Sequence, residues 1–328
     1  MNKDFLNILI DPISKSELLL TDEEFDTGGK VKSGILKSID GKNSYTISNY
    51  IPRFVPRNNY ADNFGMQWNK FSHTQLDSYS GHPISSDRFY LATNWKIDDL
   101  KDKWVLDIGC GAGRFAEVAL KAGANVVALD YSSAVDACYK NLQIYDKLYI
   151  VQGDIYALPF RNAQFDFVYS LGVLQHTPDV KKAFFELPKM LKSKGKFCID
   201  FYQKSFKSSF LPKYWLRPIT KRIPKVKLFN FLEYSVPFLF TLSVLLSKVP
   251  LIGKFLKRAI PVANWSDELP LTKNQLKEWA LLDTFDWLSP EYDNPQTKST
   301  VLAWMKQAGF IEIEVLKAGH LVGRGIKK

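Results

Sequence analysis

Two hydrophobic periods alternate along the middle of this chain. Short β-branched and apolar runs stand at Trp104 to Ile108, Asn125 to Asp130, Leu148 to Gln152, Asp166 to Leu171 and Lys196 to Tyr202. Between them, near 113–123, 133–142 and 179–191, apolar residues recur at helical spacing. Alternation of this kind predicts a parallel sheet with helices on both faces. Lys298 to Ala308 reads as a helix carrying Val301, Leu302, Trp304 and Met305, stopped by Gly309. Phe310 to Leu316 and His320 to Gly325 then read as a final strand pair turning at Ala318-Gly319.

The flanks follow other patterns. Residues 1–56 look like a small separate module, whose β character rests on a resemblance given below. Residues 57–103 connect this module to the core at 104–202, and the resemblance described below implies lid helices in that connection. Residues 203–296 form an insert, and 297–328 complete the core. Within the insert, 204–227 is basic and aromatic (Lys213, Tyr214, Trp215, Arg217, Lys221, Arg222), and 234–247 is almost uncharged. That uncharged run carries Pro237, meets Lys248 and is shorter than the roughly twenty residues a spanning helix needs. Two readings stay open for it: a helix in a membrane interface, or a buried helix roofing the site.

The chemistry concentrates at Asp107-Ile108-Gly109-Cys110-Gly111-Ala112-Gly113-Arg114. A strand runs into a glycine-rich turn and then a helix, whose free N–H groups face whatever lies over the turn. Gly109, Gly111 and Gly113 permit a sharp turn and close approach of a ligand. A dinucleotide fingerprint reads G-x-G-x-x-G; here the third glycine comes one residue early and Arg114 takes its place. Asp107 can brace the loop. Asp130, at the next strand tip, is placed for ribose hydroxyls, and Asp154, at the third, for an adenine amino group.

The blocks Gly153-Asp154-Ile155-Tyr156-Ala157-Leu158-Pro159-Phe160, Phe165 to Ser170, Leu174-Gln175-His176-Thr177-Pro178-Asp179 and Leu191 to Phe197 follow in order. Together with the glycine turn they resemble class I S-adenosylmethionine-dependent methyltransferases of the type-11 group. The resemblance covers about 100–202 and resumes near 297–327. It implies an α/β fold: a doubly wound, seven-stranded Rossmann-like sheet with its last strand antiparallel. It implies S-adenosylmethionine as cofactor, S-adenosylhomocysteine as product, and no metal. The glycines would pass under the methionine part, Asp130 would hold the ribose and Asp154 the adenine amino group, and Ile155 would pack on the adenine. Cys110, Tyr131 and Leu171 would complete the cofactor set, with Gln175 and His176 on the methyl-transfer side. His176 is the candidate base for a hydroxyl acceptor, ahead of His73, His82, Tyr202 and His320. Gln67, Trp68 and Arg88 are lid candidates; Trp287 and Tyr292 are candidates for an acceptor wall. The N-terminal module resembles small zinc-ribbon-like units, but Asp11 and Ser14 stand where metal-binding versions have cysteine.

Charge localises a partner surface. The net charge is +10, and residues 201–266 hold twelve Lys/Arg against the single acid Glu233. The surplus therefore belongs to the insert, and an anionic membrane surface is the partner it suggests. Three scattered cysteines without CxxC spacing predict neither a disulfide framework nor a zinc site, and point to a reducing compartment. The expectation is a cytoplasmic methyltransferase, with peripheral contact at the inner membrane face, acting on a small or amphipathic acceptor: a lipid-linked sugar, a quinone-like ring or an envelope glycan precursor. An RNA methyltransferase and a non-catalytic cofactor-binding regulatory subunit are the rivals, with a nicotinamide enzyme behind them.

Overall fold

The predicted strands assemble around Trp104–Ile108, which lies at the middle of a sheet. In chain order the strands are β1 (Leu18–Phe25), β2 (Val31–Ser38), β3 (Ser44–Ser48), β4 (Ile51–Arg53), β5 (Trp104–Ile108), β6 (Asn125–Asp130), β7 (Leu148–Gln152), β8 (Phe165–Ser170), β9 (Leu191–Phe201), β10 (Phe310–Ala318) and β11 (His320–Lys327). Their spatial order is β1-β2-β3-β4-β7-β6-β5-β8-β9-β11-β10. The computed structural model describes residues 1–56, 61–204 and 212–328; parts of the expected linker (57–60) and basic arm (205–211) lie outside them.

Strands β7, β6, β5, β8 and β9 run parallel, and β11 pairs antiparallel with β9. Seven strands from β7 to β10 thus have the expected doubly wound order, but the sheet does not stop there. The N-terminal strands form an antiparallel meander whose last member, β4, bridges β7 in parallel at Arg53 and Gln152. Phe54 N–H donates to the Gln152 carbonyl (2.8 Å), and the Arg53 guanidinium reaches both Gln152 Oε1 (2.8 Å) and Asp136 (2.6 Å). The sheet accordingly has eleven strands, and the meander extends one edge of the core instead of standing apart.

Asp11 clips the meander with hydrogen bonds. Its carboxylate accepts from Ile13 N–H (2.8 Å), the Tyr45 hydroxyl (2.9 Å) and the Asn43 amide (2.8 Å). Burial opposes the charge, yet these donors outweigh it and hold the carboxyl below its ordinary value.

Chain direction reverses between β5 and β8: from β5 the chain winds outward through β6 and β7, then returns to place β8 on the other side. Ligands in such sheets bind in the crevice above the strand C-termini at this switch point. Two further layers cover it. Helices Asp62–Lys70, Asp77–Ser80 and Ile84–Thr93 precede the core, and helices Pro212–Thr220, Lys225–Ser247, Gly253–Ala259 and Lys273–Leu288 form the insert. The insert has its own apolar core, where Phe229, Leu232, Val236 and Phe240 meet Leu276, Phe285 and Phe71. The uncharged run belongs to a 23-residue helix, longer than the run alone predicts and long and apolar enough to cross a membrane by length and composition. Residues 283–288, which include the acceptor-wall candidate Trp287, are the end of helix Lys273–Leu288.

Candidate active site

A cavity of about 770 Å³ opens over the switch point, within the range of small-molecule sites. Its floor is the turn after β5. Gly109, Cys110, Gly111, Asp130, Tyr131, Ile155 and Leu171 all line it, as do Gln67, Trp68, Arg88, His176 and Trp287. Asp107, Gly113, Asp154, Gln175 and Tyr292 do not.

Gly113 caps helix Arg114–Lys121 with φ +93°, and a Cβ there would lie 2.6 Å from Leu142 Cδ1 and 3.1 Å from Cys138 Sγ. Its want of a side chain serves helix packing. Gly111 differs: it lines the cavity, and a Cβ on it would meet the Trp68 indole at 3.2 Å. The lid tryptophan therefore lies over the turn. Asp130 accepts from Gly111 N–H (3.0 Å) and from the Ser132 N–H (2.8 Å) and hydroxyl (2.7 Å), which fixes the carboxylate at the rim; burial raises its pKa against these donors. Asp107 is buried beneath the turn, its Oδ2 has no hydrogen-bond partner among the described residues, and burial pushes its pKa up to about 8. Asp154 turns its carboxylate to Tyr156 N–H (2.9 Å), while its neighbour Ile155 faces the cavity.

His176 sits in the short helical turn Leu174–His176 after β8, between the rings of Phe64 and Tyr202 (centroids at 5.4 and 5.7 Å). Its Nδ1 lies 3.0 Å from the Tyr292 carbonyl. A carbonyl only accepts, so this contact assigns the ring proton to Nδ1 and leaves the lone pair on Nε2. That Nε2 is buried without a hydrogen-bond partner among the described residues. Tyr292 thus contributes its backbone to the site, and its side chain is not on the wall. Gln175 is fully buried behind the wall, both amide atoms without partners among the described residues. Gln67 has the same orphaned amide but does line the cavity. Polar atoms left unsatisfied in a wall are costly unless a ligand or water meets them.

The far half of the cavity comes from residues that carry no motif. Trp265, Trp279 and Tyr214 join Trp287 and Tyr202 there, with Asp283 and Asp286. Lys213 Nζ lies over the rings of Tyr202 (4.6 Å), Tyr214 (5.0 Å) and Trp287 (5.6 Å), and burial lowers its pKa. Asp283 accepts from the Trp265 indole N–H (2.7 Å) and the Gln75 amide (3.3 Å); burial and then the charge of Asp286 push it up to about 7. Arg114, the residue that broke the dinucleotide pattern, donates to Ser85 Oγ (2.9 Å) and Gln75 Oε1 (2.8 Å), tying the turn to the lid; burial, then the nearby Arg88, bring its pKa down to about 9. Arg88 itself pairs with buried Asp200 at the end of β9 (2.9 Å). Of the weaker base candidates, Tyr202 and His320 line the cavity, and burial takes His320 down to about 4; His73 and His82 lie elsewhere.

Residues 106–199 match the family described as a methyltransferase domain. Over 121 residues the chain is 34% identical to the sterol 24-C-methyltransferase ERG6 of Saccharomyces cerevisiae, covering 35% of this chain and 31% of that protein. Over 130 residues it is 30% identical to the ubiquinone biosynthesis O-methyltransferase of Bartonella quintana, covering 37% of this chain and 50% of that one. The chain thus spans about a third to a half of the length of the relatives it matches. A Haemonchus contortus phosphoethanolamine N-methyltransferase, solved with phosphomonomethylethanolamine and S-adenosylhomocysteine, superposes with TM-score 0.45 at 16% identity, over 80% of this chain and 46% of that one. Residues 106–199 of this chain are a class I S-adenosylmethionine-dependent methyltransferase domain.

Proposed function

We propose that the whole chain transfers a methyl group from S-adenosylmethionine to a hydroxyl on an amphipathic, ring-bearing acceptor of the lipid or quinone kind. One observation carries this reading: a single cavity joins the glycine turn to an aromatic chamber, and the open Nε2 of His176 stands in its wall. The names of the sterol and ubiquinone enzymes support the acceptor class. Lipid-linked sugars and envelope glycan precursors belong to the same class of amphipathic alcohols.

The residues present suit the cofactor. Gly111 leaves room against Trp68, Asp130 offers a carboxylate at the second strand tip, Ile155 offers an apolar surface, and the Gln67 amide is unsatisfied among the described residues. When bound, S-adenosylmethionine supplies a methyl group on a cationic sulfur. The chain's own contribution is placement and proton handling. The turn and Asp130 orient one reactant and the aromatic chamber the other, which supplies the proximity that a displacement needs. His176 Nε2 receives the hydroxyl proton, with Nδ1–H anchored on the Tyr292 carbonyl so that the ring keeps its tautomer. The aromatic lining keeps water away from the reacting atoms.

The test is calorimetric titration of S-adenosylhomocysteine into the wild type, Asp130→Asn and His176→Gln, followed by incubation with methyl-labelled S-adenosylmethionine and cell extract. Asp130→Asn should weaken binding. His176→Gln should keep it and lower label transfer to the organic-soluble fraction by about a hundredfold or more. Label in the RNA fraction would replace this acceptor class with RNA; binding with no transfer to any fraction would make the chain a cofactor-binding subunit.

A further inference from the structure

We infer that the outer face of helix Lys225–Ser247, with the turn and helix that follow it, docks on an anionic lipid bilayer. The helix is apolar on two sides. One side, Phe229, Leu232, Val236 and Phe240, is buried in the insert core. The other presents Phe231, Tyr234, Phe238 and Leu245, which step along the helix by three, four and seven residues and are 65, 89, 71 and 60% exposed. A helix facing protein on one side and water on the other needs only one apolar side; the second calls for a cover.

The patch continues beyond the helix. Helix Gly253–Ala259 packs against Lys225–Ser247, and the segment joining them exposes Val249, Leu251 and Ile252, followed by Phe255. Leu251 is fully exposed and held at φ +65°, a backbone conformation unfavourable for a bulky residue. An apolar side chain projected fully outward by a strained turn is suited to insertion into a soft apolar phase.

Charge decides what that phase is. Arg222 and Lys227 are exposed toward one end of the stripe, Lys248, Lys254 and Arg258 toward the other. The only acid in 201–266, Glu233, is held by Lys70 outside the insert at 2.9 Å. Cations around an exposed aromatic face match anionic headgroups over an acyl boundary. Because the inner side of the helix is built into the protein, it lies along the interface and does not cross. The neighbouring helix Pro212–Thr220 exposes Trp215 and Ile219 while its Lys213 and Tyr214 line the cavity, so one element touches both the outer surface and the site.

The experiment is co-flotation of the full chain with vesicles of phosphatidylcholine alone or mixed with phosphatidylglycerol. The wild type should float with the mixed vesicles and stay in solution with the neutral ones. The triple variant Phe231→Ser/Phe238→Ser/Leu251→Ser should stay in solution with both. Each cation near an anionic surface is worth about fivefold in affinity, so Lys248→Gln/Lys254→Gln/Arg258→Gln should bind roughly a hundredfold more weakly. Retained binding of S-adenosylhomocysteine shows that each variant is folded, and flotation reads lipid contact independently of methyl transfer. A wild type that stays in solution with mixed vesicles overturns the inference, as does equal flotation of all three proteins. So does a wild-type dimer that the apolar triple variant converts to monomer, since a second copy would then cover the face.

Discussion

The glycine turn contains two positions that spacing alone does not separate, and paired alanine substitutions do. At Gly113 the backbone is at φ +93°, and an added Cβ would sit 2.6 Å from Leu142 Cδ1 and 3.1 Å from Cys138 Sγ. Leu142 and Cys138 are themselves buried, so neither swings aside. Left-handed backbone costs a residue with a Cβ about 1–2 kcal/mol. Overpacking a filled site costs about 1–3 kcal/mol more. Gly113→Ala should therefore lose about 2–5 kcal/mol of stability, the sum of those ranges. At Gly111, φ is +53° and the nearest obstacle is the partly exposed Trp68 ring at 3.2 Å. The ring can give way, so Gly111→Ala should lose only about 1–2 kcal/mol of stability. Its new methyl group projects into the cavity beneath the lid, and affinity for S-adenosylhomocysteine should fall at least about tenfold, or 1.4 kcal/mol. Urea denaturation of the ligand-free protein and calorimetry of the folded variants measure the two quantities separately. A Gly113→Ala protein as stable as the wild type but unable to bind ligand would refute the division of labour.

Two further outcomes follow from buried charge. Asp107 has its folded pKa raised by burial from 3.8 to about 8, so the native state holds a proton that the unfolded chain has released across that interval. Asp107's contribution to stability should fall as pH rises from about 3.8 to about 8, by at most about 1.4 kcal/mol per pH unit. Asp107→Asn should make that slope shallower, leaving the fall that Asp283, raised to about 7, contributes below that pH, and denaturation curves taken across the interval check it. In the insert, Arg217 pairs with buried Asp293 and donates to the carbonyls of Pro290 (3.0 Å) and Tyr292 (2.9 Å). Arg217→Ala should cost about 3–5 kcal/mol by stranding Asp293, and hydrogen exchange should accelerate in helix Pro212–Thr220 before it does in the core.

Much of the core was legible because its strands are buried on both faces. Val105, Leu106, Val126 and Val127 are fully buried, and such positions admit little but β-branched and apolar residues. The runs at Trp104–Ile108, Asn125–Asp130 and Leu148–Gln152 therefore mark their strands directly. Strand β9 starts at Leu191, before its apolar run, because Lys192, Ser193 and Lys194 occupy its exposed beginning. Asp130 was legible as a strand-tip carboxylate. That Gly113 packs against Leu142 and Cys138 was not legible, because a glycine that admits a ligand and one that admits a neighbouring helix look alike in a string of letters.

The α/β class, the glycine turn, the strand-tip carboxylates and the confinement of positive charge to one insert can be read from the string of residues, since each depends on residues close together in the chain. Which polar groups meet depends on packing between distant segments. Asp283 and Trp265 come to the same cavity as Cys110, more than 150 residues away, because the insert folds back over the switch point. Packing also determines that Gln67 and His176 face the cavity with atoms unsatisfied among the described residues, and that the N-terminal meander extends the sheet. The two apolar sides of helix Lys225–Ser247 read as one uncharged run until packing assigned one to protein and left the other exposed. The physical reason is the same throughout: local spacing fixes the faces of an element, and the neighbours that bury or expose those faces arrive from distant parts of the chain.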